Sequence, residues 1–93
     1  MSLENKKEHL ISSFLDSLYI EKGLSKNTAS SYKNDISSFF LWLNSYSLNP
    51  LKVTTEDINV YVSKLFGDGL KSSSVNRKVS AIKSFYIFLL KKK

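Results

Sequence analysis

The hydrophobic residues of this chain recur at helical spacing in four separate stretches. Within residues 4–22, 25–44, 55–66 and 72–90, apolar side chains follow one another every three or four positions, the period that gives a helix one buried face. Strand-like alternation never extends beyond a few residues. The pattern predicts an all-α fold, a single four-helix bundle. The predicted core positions are Leu10, Ile11, Phe14, Leu15, Leu18 and Tyr19, then Ala29, Tyr32, Ile36, Phe39, Phe40 and Leu43, then Ile58, Tyr61, Val62 and Leu65, and finally Val75, Val79, Ile82, Phe85, Tyr86 and Leu89.

The first two helices are bounded by residues with well-understood capping behaviour. Gly23 is expected to end the first helix, because glycine adopts the left-handed backbone conformation without strain. Ser25 is expected to begin the second, because its hydroxyl can accept a hydrogen bond from an unpaired backbone N–H. Residues 45–52 contain Pro50, which disfavours helix at the residue before it, so this stretch is predicted to be a loop.

The third and fourth helices have start signals of unequal strength. Thr54 and Asp57 have the spacing of a capping box, and the glycines at positions 67 and 69 are expected to end that helix. Before the fourth helix the cap position falls on Lys71, a poor capping residue. We therefore expect Ser72 or Ser73 to supply the capping hydroxyl, with the start shifted by a residue or two.

Composition limits the chemistry that the chain can perform. Its 93 residues suffice for one domain. It has no Cys and a single His, His9, which excludes disulfides and thiolate zinc sites and leaves little to hold a transition metal. We expect no metal and no cofactor, and His9 at the surface. No apolar run approaches the roughly 20 residues that span a bilayer, so a soluble, cytoplasmic protein without a membrane partner is expected.

The charges alternate along the chain. Fourteen Lys and Arg against eight Asp and Glu give a net charge of +6, which favours polyanions such as nucleic acid without being specific for them. Residues 1–24, 25–53, 54–68 and 69–93 carry −1, +2, −2 and +7. The run Lys91 to Lys93 contributes to the last value and is more typical of a solvated tail. The even-numbered helices are basic, so the bundle has a positive face if they lie side by side.

The outward sides of the two basic helices mix cations with short hydroxyl and amide side chains. Near helix amino termini such side chains suit contacts to phosphate oxygens and base edges, although an ordinary solvated surface has the same pattern. The positions are Lys26, Asn27, Thr28, Ser30, Ser31, Lys33 and Asn34 on the second helix, and Ser73, Ser74, Asn76, Arg77, Ser80, Lys83 and Ser84 on the fourth.

Two runs of residues at fixed spacing resemble a known family. The first is Gly23-Leu24-Ser25-Lys26-Asn27-Thr28 followed by Tyr32, Asp35-Ile36, Phe39 and Trp42-Leu43, and the second is Ser74-Val75-Asn76-Arg77-Lys78-Val79 followed by Ser80-Ala81-Ile82-Lys83-Ser84-Phe85-Tyr86. On these residues the chain, over about positions 8–90, resembles the N-terminal core-binding, SAM-like domain of tyrosine recombinases of the phage integrase and Xer type. It departs from that pattern at Lys71, where serine is more usual.

The resemblance implies a role in DNA recombination and integration without catalysis by this chain. The family exchanges DNA strands through a phosphotyrosine intermediate, with its catalytic centre in a second, C-terminal domain that is absent here. One Arg in total cannot supply the guanidinium pair that neutralises the scissile phosphate, so no catalytic residue is assigned. Tyr19, Tyr32, Tyr61 and Tyr86 are expected in the core, as is Trp42.

The resemblance also implies partners and a DNA-binding surface. Helices two and four would face the major groove of double-stranded DNA, and the first helix would face other recombinase protomers in a synaptic complex of the full-length protein, while the isolated domain is expected to be monomeric. Arg77 is the foremost candidate because its planar fork can grip a phosphate or a guanine in two bonds; the alternative is an exposed arginine without a partner. The candidate DNA contacts are Lys26, Asn27, Thr28, Ser31, Lys33, Ser73, Asn76, Arg77, Ser80 and Lys83.

Two alternatives stay open at this point. Asn27 and Thr28 lie in the first turn of the second helix, where they can simply complete the Ser25 cap. The whole chain is alternatively a helical protein-interaction module whose basic tail only increases solubility. An independent enzyme is the weakest interpretation, because the sequence shows no carboxylate cluster and no nucleophile paired with a base.

Overall fold

Four helices account for most of the chain in a computed structural model, which describes the backbone of residues 3–91 and the side chains of residues 9–91. They are α1, Leu3–Lys22, α2, Lys26–Ser45, α3, Thr55–Gly67, and α4, Ser72–Lys91, with a 3₁₀ turn at Pro50–Lys52. No strand occurs within residues 3–91, so the all-α prediction is confirmed. The side-chain charges of Glu4, Lys6, Lys7 and Glu8, and the tail residues Lys92 and Lys93, lie outside the described part.

The predicted capping residues of α2 and α3 are confirmed. Gly23 has φ +57°, the left-handed conformation that ends α1. Ser25 Oγ accepts a hydrogen bond from the Thr28 N–H at 3.2 Å. Thr54 Oγ1 accepts from the Asp57 N–H at 3.1 Å, and Asp57 Oδ2 accepts from the Thr54 N–H at 3.0 Å. These two bonds form a complete capping box.

The fourth helix begins where the sequence predicts, but its cap differs from the prediction. The helix begins at Ser72, and the Lys71 carbonyl accepts the bond from the Val75 N–H at 3.0 Å, so Lys71 itself occupies the cap position. Among the described side chains, neither Ser72 nor Ser73 makes a capping hydrogen bond. Both residues are already helical, whereas a capping side chain must come from a residue with extended backbone before the first turn. The first turn of α4 therefore keeps backbone N–H groups without a side-chain acceptor.

The core is built from aromatic rings of α1, α2, α3 and α4. Phe85 packs edge-on against Phe14 and Phe40, each with ring centroids 5.4 Å apart, and Phe39 packs against Tyr61 at 5.0 Å. Aliphatic side chains fill the space around these rings. The fully buried side chains include Phe14, Ile36, Phe39, Leu43, Val75, Ile82 and Phe85.

The aromatic predictions are confirmed with one exception. Trp42 and Tyr61 are buried, Tyr32 and Tyr86 pack partly buried against the core, and His9 is exposed. Tyr19 was expected in the core and is 44% exposed. The buried stripe of α1 is narrow, and Tyr19 lies about 100° around the helix axis from the neighbouring buried residue Leu18.

Tyr86 links α4 to the loop before α3 by a hydrogen bond. Its hydroxyl donates a hydrogen bond to the Pro50 carbonyl at 2.7 Å, which anchors the 3₁₀ turn that precedes α3. Burial raises the pKa of Tyr86 well above its usual value of 10.0, with a smaller contribution from the nearby Asp57 charge. The neutral hydroxyl is thus the form that the fold requires.

We expect Tyr86→Phe to lower the free energy of unfolding by about 1 kcal/mol, because one partly buried hydrogen bond is lost. The raised pKa also makes stability pH-dependent. The contribution of Tyr86 is complete below the unfolded-state pKa of about 10 and is lost as pH rises through the higher folded-state pKa.

Denaturant unfolding near neutral pH and at about one pH unit above the unfolded-state tyrosine pKa tests this prediction. The wild type should lose more stability on going to alkaline pH than Tyr86→Phe does. Tyr46→Phe, at a residue that is 65% exposed, is the control and should behave as the wild type. A Tyr86→Phe variant as alkali-sensitive as the wild type would contradict the assignment.

Candidate nucleic-acid interface

The two basic helices lie side by side. Of all the helix pairs in the described part of the chain, α2 and α4 make the most extensive contact. Asp35 of α2 meets Arg77 of α4, and further along both helices Phe40 meets Phe85. The contacts therefore advance in the same order on both helices. It follows that α2 and α4 run in the same sense where they touch, and that their amino-terminal turns extend from the same end of the contact.

The amino termini of these two helices favour negative charge in a partner. A helix amino terminus carries a partial positive charge from its unpaired N–H groups. The first turns of α2 and α4 contain no acidic residue, whereas the first turn of α3 contains Glu56 and Asp57. α3 thus neutralises its own amino terminus, and α2 and α4 leave theirs available to an anion.

Asp35 is the single acid on α2 and α4, and it is buried between them. The residue is 1% exposed. Its Oδ2 accepts from Arg77 Nε at 3.1 Å, and its Oδ1 accepts from Arg77 Nη2 and from Lys78 Nζ, each at 3.1 Å. A buried carboxylate requires such pairing, because transferring an unpaired charge out of water costs many kcal/mol. The negative charge of this helix pair therefore lies beneath the surface and does not repel a polyanion at it.

Arg77 has a partner within the protein that the sequence did not predict. It is not a partnerless surface arginine, because one edge of its guanidinium holds Asp35, and the side chain nevertheless remains 51% exposed. Two of its five N–H donors are used in the bonds to Asp35, so three remain. Lys78, by contrast, is only 16% exposed. Arg77 is held by the core and still offers donors at the surface.

The candidate residues of α2 divide into two groups around the helix axis. Because successive residues are about 100° apart, Thr28 and Ser31 lie about 20° and 40° from Asp35, which marks the side facing α4, and Asn27 lies about 80° away. Lys26 and Lys33 are about 180° and 160° from Asp35. The fold thus brings the small polar side chains towards α4 and leaves the two lysines on the far side of α2.

The candidates on α4 all lie on one side of Arg77 around the helix axis. All five are exposed. Ser73 and Ser80 lie about 40° and 60° from Arg77, Asn76 about 100° and Lys83 about 120°. Asn76 and Lys83 are therefore only about 20° apart, and Lys83 lines a groove against α3 and the 3₁₀ turn. The surface thus has hydroxyl groups beside Arg77, with Lys26 and Lys33 along the outer edge of α2 and Asn76 and Lys83 along the outer edge of α4.

Thr28 takes part in capping as well. The Ser25 hydroxyl accepts from the Thr28 N–H and donates to Thr28 Oγ1 at 2.9 Å. Thr28 therefore does take part in the cap, whereas Asn27 is exposed and its side chain makes no hydrogen bond within residues 9–91. Of these two residues, Asn27 has its amide available to a partner.

Sequence reasoning missed the pairing of Asp35 with Arg77 and Lys78. The pairing joins residues 42 and 43 positions apart, which helical periodicity does not detect. One signal was present: a single acid on two basic helices, beside the apolar stripe residue Ile36. An acid at the edge of a buried stripe needs a cationic partner on the neighbouring helix.

Other kinds of site have little support within the described part of the chain. No group of three or more His, Cys, Asp or Glu side chains is placed to hold a metal ion. None of the helices in residues 3–91 is long and apolar enough to cross a membrane.

The chain is similar in sequence to one family of domains and to several recombinases. The family described as phage integrase, N-terminal SAM-like domain, matches residues 11–93. The chain is 42% identical over 80 residues to tyrosine recombinase XerD of Rickettsia conorii, covering 86% of this chain and 26% of that protein. It is 37% identical over 84 residues to tyrosine recombinase XerD of Proteus mirabilis, covering 90% and 27%.

A third relative is tyrosine recombinase XerC of Listeria monocytogenes, 36% identical over 92 residues, covering 98% of this chain and 30% of that protein. The chain thus spans between a quarter and a third of the length of these relatives. No solved structure matches the chain at a significant level.

Ser25→Ala should lower the free energy of unfolding by about 1 kcal/mol, because α2 loses its only side-chain cap. Ser30→Ala on the exposed side of the same helix is the control and should change stability by less than about 0.5 kcal/mol. Thermal or denaturant unfolding measures both. Equal losses in the two variants would show that the Ser25 hydroxyl does not cap α2.

Proposed function

The chain belongs to the family of phage integrase N-terminal SAM-like domains, and from this membership we propose that it is the DNA-binding, non-catalytic part of a tyrosine recombinase. In this proposal α2 and α4 together bind one side of duplex DNA at the recombination site. The observation that carries it is the absence of any surface acid on these two helices: their single acid, Asp35, is 1% exposed. Such a surface attracts phosphates, which dominate the affinity of proteins for DNA.

The arrangement of side chains suits the two kinds of contact in DNA recognition, to phosphates and to base edges. In this proposal Lys26 and Lys33 on one edge, and Asn76 and Lys83 on the other, contact the phosphates that flank a groove. The centre supplies groups that can reach base edges or further phosphates, with the guanidinium of Arg77 as the strongest donor. The central residues are Asn27, Thr28, Ser31, Ser73, Arg77 and Ser80.

Strand exchange itself is assigned to a catalytic domain of the full-length recombinase, in which other protomers also become partners. The chain has one arginine, and burial raises the pKa of Tyr61 and of Tyr86, which makes both hydroxyls poor nucleophiles. This domain therefore contributes binding and orientation of DNA.

One observation favours the second candidate function, a protein-interaction module. Leu51, Ile87 and Leu90 are more than half exposed and line a groove between the 3₁₀ turn, the start of α3, and α4. Exposed apolar side chains that lie together are common where proteins bind each other. The groove shares Lys83 with the proposed DNA contacts but contains none of the residues around Arg77, so contacts at Leu51 and Leu90 distinguish the second function from the first.

An amide NMR titration with a generic duplex at low and moderate salt tests the proposed function. Phosphate contacts make affinity fall steeply with salt, so shifts should concentrate in residues 25–34 and 72–84 and weaken as salt rises. Shifts confined to the carboxy-terminal lysines, or no binding at millimolar DNA, would favour the interaction module.

Lys83→Ala should weaken binding to all duplex sequences by a similar factor and reduce the salt dependence by about one released counterion. Lys64→Ala removes the same charge from α3, where Lys64 pairs with Asp68 at 2.6 Å, and is the matched control. Fluorescence anisotropy at several salt concentrations measures both. Equal effects of the two variants would show that only net charge matters and would contradict the placement on α4.

A further inference from the structure

The two cations that pair with Asp35 differ in their bonding and in their exposure to solvent, and stability alone does not require this difference. Lys78 Nζ contacts Oδ1 from a side chain that is 16% exposed, whereas Arg77 holds both oxygens and stays 51% exposed. Buried ion pairs are often replaceable by apolar residues without loss of stability. A half-exposed arginine bonded to a buried carboxylate thus adds little to the stability of the fold. It does hold a guanidinium at the surface, where a partner can bind it.

Lys78 offsets the negative charge of Asp35, so that this charge does not cancel the positive charge of Arg77. One carboxylate faces two cations, so the cluster has a net charge of +1. Lys78 lies mostly beneath the surface and offsets Asp35 there, so the positive charge in excess lies at the half-exposed Arg77. The carboxylate can therefore fix the orientation of the guanidinium without cancelling its attraction for an anion.

The bonding also defines which donors point outward. Asp35 engages Nε and one N–H of Nη2, the side edge of the planar group. Both N–H groups of Nη1 and the second of Nη2 remain. An arginine held along one edge loses little further side-chain entropy when these donors bind a phosphate or a guanine, so preorganisation increases affinity.

We propose that Asp35 is a positioning residue of the DNA interface: its buried carboxylate holds the Arg77 guanidinium between α2 and α4 with its remaining donors directed at the DNA, while Lys78 balances the buried charge. The proposal rests on the proposed function, because it assigns a role to Asp35 only if this face binds DNA. No residue other than Arg77 is required to contact the DNA for it to hold.

Asp35→Asn makes the proposal testable, because charge and positioning predict opposite results. The substitution preserves shape and raises the net charge by one. If only charge mattered, the variant would bind duplex DNA more tightly and with a steeper salt dependence. If Asp35 positions Arg77, binding weakens, because a single amide oxygen cannot accept from both edge nitrogens of the guanidinium.

The experiment measures how tightly the whole chain binds fluorescent duplex DNA at two salt concentrations. Two duplexes of about 20 base pairs are used, one of a fixed generic sequence and one of randomised sequence. We expect Asp35→Asn to weaken binding at least about fivefold, the lower end of the effect of losing one specific contact. Asp68→Asn removes a negative charge from the exposed end of α3 and is the control. It should bind as tightly as the wild type or slightly more tightly.

A second variant keeps the test decisive if Asp35→Asn does not fold, as judged by its amide spectrum. Arg77→Lys retains the charge and loses the fork, and it should also weaken binding at least about fivefold. Arg77 is the only arginine of the chain, so its Nε–H gives a single side-chain NMR signal. In the wild type that signal should be protected from exchange in the absence of DNA and should shift when DNA is added.

The outcomes separate the two proposals. If the wild type does not bind the duplex in a salt-dependent way, the proposed function fails and this inference fails with it. If the wild type binds but a folded Asp35→Asn and Arg77→Lys bind as tightly or more tightly, the DNA-binding function stands and the positioning role is overturned. An arginine signal unaffected by bound DNA would overturn it as well.

Discussion

Burial of one carboxylate constrains how the two central helices meet. Asp35 has almost no contact with solvent, and a buried carboxylate without cationic partners would cost several kcal/mol, a large part of the net stability of a small domain. α4 must therefore place Arg77 and Lys78 within hydrogen-bond reach of it. A shift of α4 by one residue would rotate both cations by about 100°, so at most one of them could take a place beside the carboxylate and the three observed hydrogen bonds could not all form. The ion cluster thus adds a directional constraint to the register that apolar packing sets between α4 and α2.

The aromatic core sets the relative direction of α2 and α4, which the ion cluster alone does not define. A single polar contact defines a point of contact between two helices but not their relative direction. The rings of Phe40 and Phe85, 5.4 Å apart, supply a second point, and together the two contacts make the helices run in the same sense. The surface follows from that direction: the open amino termini of α2 and α4 extend from the same end of the contact, and the acid that would repel a polyanion lies beneath them.

Most of the fold was predictable because its signals are local. Gly23, Ser25 and the pair of Thr54 and Asp57 act within a few residues of their own positions, and the helix boundaries that they mark are observed. Tyr19 was predicted wrongly, because periodicity shows which side of a helix is apolar but not how wide the neighbouring helices make the buried stripe. The serine cap of α4 was predicted wrongly for a different reason: a serine in the first turn has the right chemistry and the wrong backbone conformation to cap it.

The candidate site was less predictable than the fold. The sequence identifies positions that face away from the core, and it does not show in which direction the neighbouring helix lies. For that reason it grouped Lys33 with Ser31, although the fold directs one away from α4 and the other towards it. The pairing of Asp35 with Arg77 spans 42 positions and depends on the register of two helices, so it becomes visible only in three dimensions.

Of the two helices proposed to bind DNA, α2 is capped by Ser25, whereas α4 departs from locally favourable structure at its amino-terminal end. Local conflicts of this kind are expected at functional sites, where a protein forgoes stability for binding. α3, which is not part of the proposed interface, has a complete capping box and acidic residues in its first turn. α4 has neither, and the nearby Arg77 is only half buried in spite of its bonds to Asp35. An added acid or a serine cap at the start of α4 would be the simplest way to stabilise this helix, and both would occupy the N–H groups that an anion needs. Under the proposed function the contrast between α3 and α4 has a physical reason, because only α4 would need free N–H groups to bind an anion.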